Sequence, residues 1–77
     1  MEQNVEKTPV NGALKTISDA RGYRGLTQIQ LSKITGITQA EISKLEKGER
    51  NPSIKILERL ADGMGMTLDI SFIPKEL

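Results

Sequence analysis

The sequence predicts an all-α domain of four helices followed by one short strand, and three observations carry that expectation. A pattern of apolar, Thr, Gln, any, Gln/Glu, apolar occupies residues 26–31 and returns eleven positions later at 37–42. Apolar residues recur at three- and four-residue steps before and after this repeat, the spacing of one helix face. From 67 to 72 the period changes: polar and apolar residues alternate strictly, as in a strand.

The elements follow in order. Residues 1–12 are polar, contain Pro9 and show no apolar period, so they read as a flexible tail. Asn11 or Gly12 is the expected cap of a first helix with Ala13, Leu14, Ile17, Ala20 and Arg21 on one side. Gly22 costs about 1 kcal/mol against Ala in a helix interior, so this helix frays there and ends by Gly25. Thr27 then caps a second helix through its hydroxyl. Gln30 can close a capping box, and Leu26 with Leu31 has the spacing of a hydrophobic staple. Leu31 and Ile34 are its expected inward residues, and Gly36 its stop. Thr38, Glu41, Ile37 and Ile42 repeat the same start for a third helix, with Ile42 and Leu45 inward and Gly48 at its end. A short helix, a Gly-containing turn and a second capped helix make a helix-turn-helix. Residues 49–53 form a turn, Ser53 caps a fourth helix, and Ile54, Leu57, Leu60, Ala61 and Met64 are its inward residues. Gly63 and Gly65 are expected to end it. The working unit is thus 13–66, followed by a strand at 67–73 that Pro74 terminates and a tail at 74–77. A lone strand leaves backbone groups without partners. The expected partner is the same strand of a second copy across a two-fold axis, with Leu68, Ile70 and Phe72 in the interface. The alternative is an extended tail lying on the fourth helix.

Composition narrows the function. The 77 residues make one small domain with neither Cys nor His. No disulfide or thiolate site is available, carboxylates alone remain as side-chain metal ligands, and the commonest general base is missing. No nucleophile–base pair and no Gly-rich phosphate loop occurs, so no catalytic residue, metal or cofactor is expected. A domain this small without staples makes a homodimer a natural source of stability. The net charge is +1, but from Ala13 to Leu60 nine Lys and Arg face five Asp and Glu. No apolar run reaches the ~18 residues of a membrane span, and no signal-peptide h-region is present, so a cytoplasmic, nucleoid-associated protein is expected.

The third helix carries the chemistry. Gln39, Ala40, Ser43, Lys44 and Lys47 share the side opposite Ile42 and Leu45, and all five are polar or small. A helix entering the DNA major groove needs such a face. Gln39 suits a bidentate pair with adenine, the Ala40 methyl suits a thymine methyl, and Ser43 and Lys44 suit base edges or phosphates. Gln28, Thr38, Lys47 and Arg50 are the expected phosphate contacts, Gln28 together with the free amides opening the second helix. Each residue taken singly fits a solvated helix surface equally well; their grouping on a doubly capped helix-turn-helix favours DNA. Arg21 falls on the inward side of the first helix, where a bare charge is costly, and Glu46 borders the apolar side of the third. The two are expected to form a structural ion pair. Ile29 and Ile56 fall outside the core stripes; exposed apolar residues scattered in this way are ordinary, and a protein-partner surface is the rival reading.

Taken together, Ile17-x-x-x-Arg21-x-x-x-Gly25-Leu26-Thr27-Gln28, then Leu31-Ser32-x-x-x-Gly36-Ile37-Thr38-Gln39-x-x-Ile42-Ser43-x-x-Glu46-x-Gly48, then Asn51-Pro52-Ser53, resembles the XRE family of Cro/cI-type repressors. The resemblance covers about residues 13–66. It implies a lambda-repressor-like domain of four to five helices, a two-fold dimer and a palindromic double-stranded DNA operator. It also implies a phosphate contact for Gln28, base reading for Gln39, Ala40, Ser43 and Lys44, and an inter-helix ion pair for Arg21 and Glu46. A strand in place of a fifth helix resembles the HigA-like and HipB-like antitoxins of type II toxin–antitoxin systems, which implies a cognate toxin partner and repression of the protein's own operon. Gly22, Tyr23 and Ala40 depart from the family's usual residues. The alternatives are a stand-alone regulator without a toxin and an adaptor whose helix-turn-helix binds protein rather than DNA.

Overall fold

The computed structural model describes residues 13–75, which form α1 (Ile17–Tyr23), α2 (Gln28–Thr35), α3 (Gln39–Glu46) and α4 (Ile54–Gly63). The expected tail at 1–12 and the Asn11 or Gly12 cap lie outside the described residues. Each helix begins on a hydroxyl. Thr16, Thr27, Thr38 and Ser53 accept the amide three residues on, at 2.9, 3.0, 3.1 and 3.2 Å. The first of these corrects the expected start near Ala13. Thr16 takes the Asp19 amide, and its carbonyl accepts from Ala20, so the first turn closes at Ile17. Leu14 precedes the helix and still packs on the core.

The helix ends are equally local. Gly36 stops α2 at φ 79°, a left-handed conformation that costs a residue without Cβ least. At the end of α3, Glu49 N–H donates to the Lys44 carbonyl at 2.9 Å and Gly48 N–H to that of Leu45 at 3.2 Å, a Schellman motif. The same paired bonds close α1 at Gly25 and α4 at Gly65.

Leu31, Ile42 and Leu60 are fully buried, joined by Ala20, Ile37, Leu45 and Met64. α2 packs on both α3 and α4, and α1 packs on α3. The expected core needs three corrections. Ile34 and Ile54 are more than half exposed, whereas Ile56 packs against the core. Gly63 ends α4 as expected, and its bare backbone is also a packing contact. A Cβ there would come within 2.5 Å of Thr35 Cγ2 and 3.2 Å of Ile34 Cγ2, so a bare backbone lets the end of α2 close onto α4. That approach leaves Ile34 at the margin of the contact. Ile54, first in its helix, stands at the open end of α4.

Residues 67–75 carry no regular secondary structure, so no strand occurs among the described residues. The alternation at 67–72 is intact, but a strand is a ladder of hydrogen bonds and the single chain offers it no second edge. Leu68 is half-buried, while Ile70, Phe72 and Ile73 face outward.

Candidate nucleic-acid interface

Burying Ile42 and Leu45 turns the opposite side of α3 outward. Gln39, Ala40, Lys44 and Lys47 are exposed or half-exposed there, as is Ser43. Among the described residues, Lys44 and Lys47 enter no ion pair.

One flank of this face is tied to the rest of the molecule by a continuous polar chain. Arg21 Nε and Nη2 donate to the two Glu46 carboxylate oxygens at 2.7 and 2.9 Å, and Nη1 donates to the Leu26 carbonyl at 2.9 Å. Gln28 Nε2 donates to Glu46 Oε1 at 3.0 Å, and Gln39 Nε2 donates to Gln28 Oε1 at 3.0 Å. The expected Arg21–Glu46 pair is therefore formed, and it extends to Gln39. The Glu46 side chain is only 8% exposed. The hydrogen-bonded Arg21 guanidinium holds its carboxyl below the usual range, against the opposing effect of burial, and the Gln28 amide adds to the lowering. The same contact raises Arg21.

The chain leaves useful donors. A side-chain amide carries two N–H groups. Gln39 spends one on Gln28 and keeps the other, plus its carbonyl oxygen, for a bidentate partner. Gln28 spends one on Glu46 and keeps one for an anion beside the first turn of α2.

On the other flank the two helix starts differ. The Thr27 box is complete, with Thr27 N–H donating to Gln30 Oε1 at 2.8 Å. At Thr38 only the hydroxyl half forms. The Glu41 carboxylate turns instead to Arg50, whose Nη1 lies 3.2 Å from Oε1 and 3.4 Å from Oε2. Of the expected phosphate contacts, Lys47 is thus outside any ion pair among the described residues, Thr38 is committed as a cap acceptor, and Arg50 is held by a carboxylate. A further contact has no counterpart in the sequence reading. Arg24 Nε donates to the Met64 carbonyl at 2.8 Å and Nη2 to that of Gly65 at 3.3 Å, fastening α1 to the end of α4. A cation at a helix C-terminus is a known signal, but here it arrives from another helix and leaves no mark in local spacing.

A helix-turn-helix family model matches residues 17–70, most of the chain. The chain belongs to the XRE-type helix-turn-helix family. It is 33% identical over 70 residues to an uncharacterized HTH-type transcriptional regulator of Haemophilus influenzae, covering 90% of this chain and 71% of that protein. An uncharacterized HTH-type transcriptional regulator of Methanothermobacter thermautotrophicus is 39% identical over 49 residues, covering 64% of this chain and 71% of its own. The HTH-type transcriptional regulator PuuR of Escherichia coli is 31% identical over 62 residues, 80% of this chain but only 34% of PuuR. No solved structure matches. Within the family frame, α2 and α3 are the helix-turn-helix and α3 its second helix. Among the described residues no group of carboxylates is arranged to hold a metal, and no helix is long and apolar enough to cross a membrane.

Proposed function

We infer that the protein is a sequence-specific DNA-binding transcriptional regulator that acts as a repressor, with α3 as the element that enters the major groove. One observation carries this: the Arg21–Glu46–Gln28–Gln39 chain fixes the outward amide of Gln39 on a face whose neighbours are small or cationic. Gln39, Ala40, Ser43 and Lys44 read base edges, while Gln28, Lys47 and the amide groups opening α2 hold the backbone. Thr38 and Arg50 complete the phosphate set once the duplex docks. The family relatives named as transcriptional regulators support the same reading. Selection of duplexes from a random pool tests it. The wild-type chain should enrich one motif, and Gln39→Ala with Lys44→Ala should bind without enrichment while melting as the wild type does. Equal enrichment by both would refute the assignment of the face.

The narrower reading is an autoregulating antitoxin that works as a homodimer on a palindromic operator. Its support is the alternating segment 67–72 and an open groove of about 580 Å3 beside it, lined by Leu14, Ile17, Leu57, Met66, Leu68 and Ile70. In a dimer, Leu68, Ile70 and Phe72 pair with the same segment of the second copy. Co-purification with the product of the neighbouring gene separates an antitoxin from a stand-alone regulator. A toxin-like partner retained through purification favours the first, and its absence the second.

A further inference from the structure

We propose that Glu41 is a specificity-determining residue, which withholds the Arg50 guanidinium from phosphates on non-cognate DNA. This role rests on the DNA-binding reading above and concerns the flank of α3 opposite Gln28. The repeated helix start supplies the internal comparison. Where the first copy has Gln30, the side chain returns to its own cap amide. Where the second has Glu41, the carboxylate leaves the cap and meets Arg50 from nine residues away in the chain. The pair is half-exposed, with the Arg50 and Glu41 side chains 53% and 31% accessible. Such a pair contributes little to stability, so a well-aligned phosphate can take the place of the carboxylate. A carboxylate beside the reading face also repels any phosphate that approaches Arg50 imperfectly. Only close, aligned docking brings a phosphate near enough to displace it. Glu41 then lowers indiscriminate affinity more than selective affinity, raising the ratio between them.

The test measures binding of a random-sequence duplex by the full chain as salt rises from about 50 to about 200 mM, the range over which phosphate contacts weaken strongly. Glu41→Gln should bind this duplex roughly three- to tenfold more tightly at low salt. Its plot of log affinity against log salt should steepen by about 0.9, the signature of one added phosphate contact. The fold should persist, because Thr38 caps α3 through the Glu41 backbone amide and Gln can close the box as Gln30 does. Glu41→Ala should show the same two shifts. In an Arg50→Ala background, Glu41→Gln should change affinity less than twofold. An unchanged slope, a weakened affinity, or an equal gain without Arg50 would each overturn the proposal. If the wild type binds no duplex at low salt, the DNA-binding reading falls with it; if it binds and Glu41→Gln changes nothing, only the role of Glu41 falls.

Discussion

Glu46 accepts hydrogen bonds from Arg21 on α1 and from Gln28 on α2, so three helices meet at one carboxylate. Removing Arg21 leaves that carboxylate largely buried without its counter-charge, and also frees the Leu26 carbonyl. Arg21→Ala should lose about 3 kcal/mol of stability, read from urea denaturation. The pH dependence has a definite sign. The folded-state pKa of Glu46 is lowered, so its contribution is complete above the ordinary glutamate value of about 4.3 and is lost as pH falls through the lower folded value. Melting temperature should therefore drop more steeply between about pH 4 and pH 2 in the wild type than in Glu46→Gln. The ion pair itself is legible in the sequence, because a cation on an apolar stripe demands a partner. Its extension through Gln28 to Gln39 is not, since it depends on how closely α2 and α3 are set. The diversion of Glu41 to Arg50 is hidden for the same reason: a capping box specifies a donor and an acceptor, but not what else competes for the carboxylate.

At the scale of the element, local chemistry fixes where helices start and stop, and packing fixes which side faces in. Thr27, Thr38, Ser53 and the glycines after α1, α2 and α3 are legible because caps act within a few residues. The start of α1 is obscured because Ala13 and Leu14 continue the apolar spacing past Thr16, and spacing does not register a hydroxyl bond. In α4 the ambiguity has a different cause. Ile54, Ile56 and Leu57 offer two overlapping stripes; in the packed molecule Ile56 lies against the core while Ile54 stays more than half exposed. Two glycine substitutions separate these effects. Gly22 sits in α1, and a Cβ added there would meet nothing within 4 Å. Gly22→Ala should therefore stabilise by about 0.5–1 kcal/mol through helix propensity. Gly63→Ala gains the same propensity yet must displace Thr35, whose hydroxyl donates to the Leu31 carbonyl at 2.8 Å. It should cost about 1–3 kcal/mol net, so the two midpoints in urea should move in opposite directions.

For the whole molecule, the proposed function makes this chain one half of a symmetric reader. Phe72 is 97% and Ile73 79% exposed, an apolar arm that a second copy would cover. Deleting residues 67–77 should convert a dimer into a monomer in sedimentation, and a dimer that survives would place the interface elsewhere. The alternation of the arm is legible in the sequence; its conformation is not, because a strand is a property of two edges. Two copies of α3 held about 34 Å apart would enter successive major grooves and occlude a promoter. The most direct measurement is a salt titration of the wild-type chain on the duplex upstream of its own gene, with a random duplex alongside. Binding should weaken steeply with salt on both duplexes and stay tighter on the upstream sequence throughout. Absence of binding to either duplex at low salt would contradict the DNA-reading role of α3 and favour a helix-turn-helix that binds protein.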